Sequence, residues 1–207
     1  MPAPAHPDTV CAGDEWEQEQ IEAADLTGQH ADHVEITGSV LRGVRFTGAR
    51  LEHLKLTDVL AVDCELSGAI VGQSAMRRVE FRNCRMSGVV VSDSKLRDVR
   101  FLSCKLDDAN FRFAEAERVV LDDCSLVDAD FSEAAFTHSA LDGCDLRRAV
   151  FTKARMAGTS FAGSTIDELS GAAALRGIVV GTDQVLPLAL SVFRDLGIVI
   201  SDERRSS

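Results

Sequence analysis

The 207-residue chain has no tyrosine, one tryptophan and four prolines, and aromatic residues make up only 5% of it. So few rings suit a narrow interior better than a broad one. The longest apolar runs fall far short of the ~20 residues that a membrane-spanning helix needs, so no membrane partner is expected. Residues 1–20 lack a basic stretch followed by an apolar one, which argues against a secretory leader and for a cytoplasmic location. There is no GxSxG, no P-loop, no GxGxxG after a strand, and no His/Cys/Asp set with the spacing of a site. CxxC and HxxxH pairs are missing as well. An enzyme, a cofactor and a metal centre are therefore not expected.

What the chain does have is a period of five. Every fifth residue from Ile21 through Leu26, Ala31 and Ile36 to Phe161 and Ile166 is apolar, thirty in all, and the frame never slips. Neither a helix of period 3.6 nor a strand of period 2 writes this pattern, so an internal repeat governs the chain. Two residues before each apolar position stands Ala, Cys, Val, Ser or Thr in most repeats, with Gln29 and Leu54 among the exceptions. Residues two apart in an extended chain share a side, so each quintet turns one large and one small side chain inward. Two residues after the apolar position, seventeen of thirty residues are Gly, Asp or Asn, types that tolerate positive φ and turns. A corner every five residues follows.

The number of corners per coil comes from a second period. Cys64, Cys84, Cys104, Cys124 and Cys144 are twenty apart, as are Val59, Val79, Val99 and Val119, and Ala109, Ala129 and Ala149. Four walls of five residues make one coil, and like side chains stack. The fold predicted is an all-β solenoid, a square parallel β-helix of about 7 coils and about 36 Å, given ~4.8 Å between neighbouring strands. Its lumen is filled by its own side chains, which leaves little space for a substrate. Coil spacing alone does not forbid disulfides in the cysteine column. Inward stacking in a chain without an export signal favours reduced thiols packed as small apolar groups.

The unit resembles that of the pentapeptide repeat family, roughly A(D/N)Lxx. The match is plain in Ala129-Asp130-Phe131-Ser132-Glu133, Cys144-Asp145-Leu146-Arg147-Arg148 and Ala109-Asn110-Phe111-Arg112-Phe113. The resemblance covers about 150 residues and implies a right-handed quadrilateral β-helix. It does not fix function.

Four segments are read. Residues 1–20 are an acidic tail or cap in which Asp14, Glu15, Glu17 and Glu19 surround Trp16, either a plug on the first coil or part of a loose tail. The proline-rich start, residues 1–7, is read as disordered. Residues 21–170 are the β-helix, 171–200 a C-terminal strand-helix-strand module that caps or dimerises, and 201–207 a polar tail. In the module, residues 178–180 read as a short strand, and a helix runs from a cap at Thr182 or Asp183 to about Leu196. Gly197 stops it and Pro187 lies in its first turn. Its apolar stripe is wide enough to cover the last coil and still leave Leu186, Leu190, Phe193 and Leu196 for a second copy. Dimeric pentapeptide repeat proteins look similar here, so a homodimer through this module is expected.

Charge divides the coil body. Residues 40–105 carry twelve Lys/Arg and seven Asp/Glu, a net of +5, whereas residues 106–146 carry two and eleven, a net of −9. Asp108 and Asp128 share a column, Asp122 and Asp142 another, and Asp107, Asp123 and Asp145 lie near them. These seven are the candidate partner-binding edge, against the plainer reading of turn residues on a solvated face. The resemblance extends to bacterial members of the quinolone-resistance type that bind DNA gyrase by imitating duplex DNA. It implies gyrase as a possible partner, supported by the net charge of −11 and the unbroken rod. The basic middle coils count against this, as does the lack of a projecting loop. The alternative is a protein-protein interaction scaffold with another partner, anchored by the outward Ile70 and Val90 or by the C-terminal module. Direct nucleic-acid binding through Arg77, Arg78, Arg82, Arg85, Arg97 and Arg100 is opposed by the acidic remainder.

Overall fold

The structure is a computed structural model that describes residues 9–199. The proline-rich start, Ile200 and the polar tail lie outside the described residues. Each quintet lays three residues along a wall and turns a corner with the other two. At those corners the residue two after the apolar position has positive φ without exception from Ala23 to Glu168, whatever its type. Gly68 and Asp108 suit that geometry, but Phe113, Arg118, His138 and Lys153 adopt it too. The left-handed conformation costs an ordinary residue roughly 1–2 kcal/mol, so coil stacking overrides local preference at these corners.

Eleven strands lie on two adjacent walls. The first wall holds β1 (Glu15–Glu17), β3 (Glu35–Thr37), β8 (Glu115–Glu117) and β10 (Ala135–Thr137). The second holds β2 (Gln20–Glu22), β4 (Val40–Arg42), β9 (Val120–Asp122) and β11 (Ala140–Asp142). Strands β5 (Lys55–Val62), β6 (Ala75–Arg82) and β7 (Lys95–Leu102) run round the corner between them. All pairing between these strands is parallel and in a register of twenty, as in Glu15 to Glu35, Lys55, Ala75, Lys95, Glu115 and Ala135. The other two walls are stitched by single paired residues, such as Arg45 with Glu65 and Ile70 with Val90. The ladder starts at Glu15, so Trp16 occupies an inward position of the first coil, half-buried against the core, rather than plugging a coil that begins at Ile21.

The predicted inward pair is the core: the apolar position and the residue two before it are buried along the rod. Eight of the ten phenylalanines point inward, most of them in the upper half, where rings fill the lumen by stacking along the axis. Phe81 lies on Phe101 at 5.0 Å, and Phe111, Phe131 and Phe151 stack at 5.1 Å per step. In the lower half, Ile36, Phe46 and Met86 border an apolar void of only ≈ 30 Å³. The five stacked cysteines are free and buried, and each donates Sγ–H toward carbonyls at its corner, as Cys104 does to Phe81 and Leu102 at 3.5 Å. Hydrogen bonding with neighbouring cysteines, and then burial, pushes the Cys84 and Cys124 thiols up, so they stay protonated.

The Asp/Asn of the repeat has a visible cause. Its side chain accepts the backbone N–H two residues on: Asp130 from Ser132 at 2.8 Å, and Asn110 from Arg112 at 3.0 Å. This Asx turn satisfies a corner amide that the coil above does not reach.

Residues 171–199 depart from the predicted strand-helix-strand. Only Val179 of the expected strand pairs, with Ser160, before Gly181 leads into a 3-10 turn (Thr182–Gln184) and helix α1 (Val185–Asp195). After the helix Gly197 (φ 67°) turns the chain, and the Ile198 N–H donates to Phe193 O, so Ile198 and Val199 join no sheet. The helix cap also differs, because Gln184 rather than Thr182 or Asp183 occupies it. Its buried side chain donates to the carbonyls of Phe161, at 2.7 Å, and Ser164, and accepts from Gly181 N–H. Carbonyls of the last coil are thereby satisfied.

Candidate interaction surfaces

With the lumen closed, chemistry is confined to the outside of the rod. Three surfaces are distinct there.

The first is the set of seven aspartates proposed as an acidic edge. They lie in the upper half of the rod, Asp122 and Asp142 at the end of the second wall and the others along the third wall and its two corners. Asp122 sits in register below Asp142, as the column reading requires. Their chemistry differs residue by residue. Arg148 bonds Asp128 at 2.6 Å and holds its carboxyl below the usual carboxylate range, and Arg147 does the same to Asp145. Lys105 lies 3.5 Å from Asp107. Asp107 and Asp142 also work as clamps between coils. Asp142 accepts the Ser160 hydroxyl at 2.6 Å and the Ala162 N–H at 2.9 Å, and Asp107 accepts the Ser125 hydroxyl and the Val127 N–H. That leaves Asp108, Asp122 and Asp123 exposed and without an ion pair or side-chain hydrogen bond among the described residues. The clamps have a sequence signal that composition hides: a serine eighteen residues after the aspartate. The ion pair of Asp128 with Arg148 has a simpler one, an opposite charge twenty residues on.

The same spacing organises charge elsewhere. Asp58, Arg78, Asp98 and Arg118 alternate in sign up one corner, with Arg78 bonded to Asp58 and Arg118 to Asp98. Hydrogen bonds from these arginines lower both carboxyls. Asp25 is lowered by Arg45 in the same way, one coil up at 2.8 Å.

The second surface is the outer face of α1. Leu188 and Val192 turn toward the core and Ser191 is buried. Arg194 and Asp195 fasten the end of the helix to Leu169 O and Ala173 N–H. The stripe is wider than the coil beneath it. Leu186 is 67% exposed, Leu196 61%, Leu190 48% and Phe193 38%, and Val185, Ile198 and Val199 extend the patch. The four residues picked out for dimerisation are thus the outward part of the stripe.

The third surface is basic and lies where β5, β6 and β7 round their corner. It includes five of the six arginines weighed for nucleic-acid binding. Arg78 and Arg82 bond carboxylates of their own walls, Asp58 and Glu80. Arg97 shares Glu117 at 3.5 Å, while Arg77 and Arg100 form no ion pair with a described residue. Arg85, on the third wall, is 3.9 Å from Glu65. No group of three or more His, Cys, Asp or Glu able to hold a metal ion occurs among the described residues. No helix among them is long and apolar enough to cross a membrane.

Comparison with known proteins agrees with this geometry. The family described as pentapeptide repeat region matches residues 34–111, 62–131 and 94–170. Among solved structures, the chain is similar to HetL, a pentapeptide repeat protein involved in heterocyst differentiation regulation in the cyanobacterium Nostoc, at 17% identity and a TM-score of 0.45, covering 83% of this chain and 86% of that one. It is also similar to a trypsin-treated form of QnrB1, a plasmid-mediated fluoroquinolone resistance protein, at 22% identity and a TM-score of 0.42, over 92% and 91% of the two chains. A thylakoid-lumen pentapeptide repeat protein of Arabidopsis thaliana is similar at 16% identity and a TM-score of 0.19, over 68% and 67%. No curated protein matches the chain. The quintet frame, the twenty-residue register and the family match over most of the coil place the chain in the pentapeptide repeat family, as a right-handed quadrilateral parallel β-helix.

Proposed function

We propose that the protein is a non-enzymatic scaffold that binds other proteins through its outer walls, and that it acts as a homodimer joined at the C-terminal modules. The observation that carries this reading is the closed lumen. The apolar void inside the lumen is ≈ 30 Å³, far below the few hundred Å³ of a small-molecule site. The dimer is supported by the outward leucines and Phe193 of α1, because an apolar patch of this kind beside a polar rod is seldom left in water. Sedimentation equilibrium of the full chain is expected to give twice the monomer mass. The double variant Leu190→Asp, Phe193→Asp is expected to give the monomer with an unchanged circular-dichroism spectrum. A monomeric native chain sinks the dimer, and a stable, specific turnover of substrate sinks the scaffold.

A second reading is a mimic of duplex DNA that binds DNA gyrase. It is favoured by Asp108, Asp122 and Asp123, which have no ion pair or side-chain hydrogen bond among the described residues, and by the in-register stack of Asp122 and Asp142. It is opposed by Arg147 and Arg148, which neutralise two members of the edge. Retention of gyrase on the immobilised protein and a dose-dependent change in supercoiling are the measurements. If both occur and survive reversal of Asp108, Asp122, Asp128 and Asp142 to Lys, the acidic edge is not the contact.

A further inference from the structure

We infer that the corner carrying Arg77, Arg97 and Arg100 is a docking surface for a short acidic segment of a partner protein, an inference that rests on the scaffold reading and names the chemistry of its partner. In most columns of this rod a charge meets its opposite one coil away, as Asp58 meets Arg78 and Asp128 meets Arg148. This corner breaks the rule. The column runs Glu17, Thr37, Thr57, Arg77, Arg97, Glu117, so two arginines sit in register on adjacent coils, on strands about 4.8 Å apart. Like charges directly opposite each other on paired strands are destabilising. Arg97 is partly relieved by Glu117 at 3.5 Å, whereas Arg77 forms no ion pair with a described residue and feels Asp58 and Asp98 only at longer range. On the neighbouring wall Arg100 sits in register with Glu80, and Glu80 bonds Arg82 instead. Arg77, Arg100 and Lys95 are all exposed.

The length of the occupant is set by what brackets the patch. Glu17 closes the column below and Glu117 above. Residues 1–39 carry nine Asp/Glu and no Lys/Arg, and residues 106–146 are net −9. A duplex nucleic acid would overrun these acidic ends, whereas an anionic segment a few residues long fits between them. Half-buried aliphatic side chains lie beside the arginines on the second wall: Leu60 in the column of Arg100, and Leu102 in the column of Arg82. They suit the alternate apolar side chains of an extended acidic segment. A patch that mixes guanidinium and aliphatic surface in this way favours a peptide over a bare polyanion.

The test is fluorescence anisotropy on the full chain, with a labelled peptide of alternating Glu and Leu, about eight residues long. Saturable binding that weakens with added salt is expected. The double variant Arg77→Glu, Arg100→Glu is expected to weaken it about tenfold or more. The control Arg155→Glu, Arg176→Glu, with the same change in net charge, is expected to stay within about twofold, since long-range charge alone is screened at physiological salt. Absence of saturable binding overturns the inference, as does equal loss in both variants, or tighter binding of a 12-base-pair duplex than of the peptide. Circular dichroism of each variant confirms the fold, and Arg77→Gln, Arg100→Gln replaces the reversal if it fails to fold. The sedimentation measurement above is independent, so failure here leaves the dimeric scaffold standing.

Discussion

At the scale of single residues, the interior is an accounting of small polar groups. The inward serines replace lost coil contacts: Ser74 Oγ accepts from Leu54 N–H and Ser94 Oγ from Ser74 N–H, each at 3.0 Å. Thr159 breaks the pattern. Its hydroxyl is buried and has no hydrogen-bond partner among the described residues. Thr159→Val removes an unpaired polar group at nearly constant shape, so a gain of about 1 kcal/mol is expected, measured as a rise in the urea midpoint with unchanged slope. The cysteines give a second residue-scale test. Cys11 alone is exposed among the described residues, and the five column thiols are buried. In the native protein one thiol of six is expected to react rapidly with a disulfide reagent, and all six after denaturation. Rapid native reaction of the column would show that the rod opens locally.

At the scale of elements, the critical joint is between the last coil and the C-terminal module. Gly171 makes that joint, at φ 73°, with its Cα pressed on the coil below. A Cβ there would stand 2.4 Å from Thr152 N and 2.7 Å from Phe151 C, backbone atoms that no rotamer change can move aside. Gly171→Ala is expected to cost about 3 kcal/mol through left-handed strain and overpacking. The loss is local, because Gln184 and Arg194 bond the module to the end of the rod only. Hydrogen exchange is expected to speed up over residues 172–195 and to stay slow in β5, β6 and β7. Uniform loss of protection would mean that the module and the rod unfold as one.

At the scale of the whole molecule, two properties follow from columns twenty residues apart. One is pH dependence. Arg78, Arg118 and Arg148 hold Asp58, Asp98 and Asp128 below their ordinary value of 3.8 in the folded state. The unfolded chain therefore binds protons more readily in this range. The stabilisation is complete above about pH 4 and is lost as pH falls through the depressed folded values. Acid unfolding is expected below pH 4, with a smaller pH effect at high salt because these pairs are exposed. A stability that is flat down to pH 2 would refute the pairing. The other property is near one-dimensional cooperativity. Deleting residues 75–94 removes one whole coil and leaves every column intact, so a folded, less stable rod is expected. Deleting residues 75–79 keeps the quintet frame but moves every later column by one wall. It is expected to cost much more, read as a larger drop in melting temperature.

Charge at this scale shows how much of the surface was legible. The block of net −9 over residues 106–146 suggests a continuous acidic edge when read along the chain. In space, Asp128 belongs with Arg148 and Asp145 with Arg147, while Asp107 and Asp142 hold the coils together. The outward half of α1 was readable because its stripe is wider than a coil end can cover. The role of Gln184 was not, because a lone glutamine before a helix carries no pattern until the carbonyls it faces are known.

By itself the sequence determined the repeat, the four walls, the inward pair of side chains and the stacked columns, because each is a matter of spacing along the chain. Only the tertiary structure decided which corners carry positive φ against their own preference, where Trp16 enters the first coil, how the C-terminal segment turns away after Gly197, and which charges are left without partners. Those outcomes depend on what lies one coil above or below, about 4.8 Å away in space and twenty residues away in the chain.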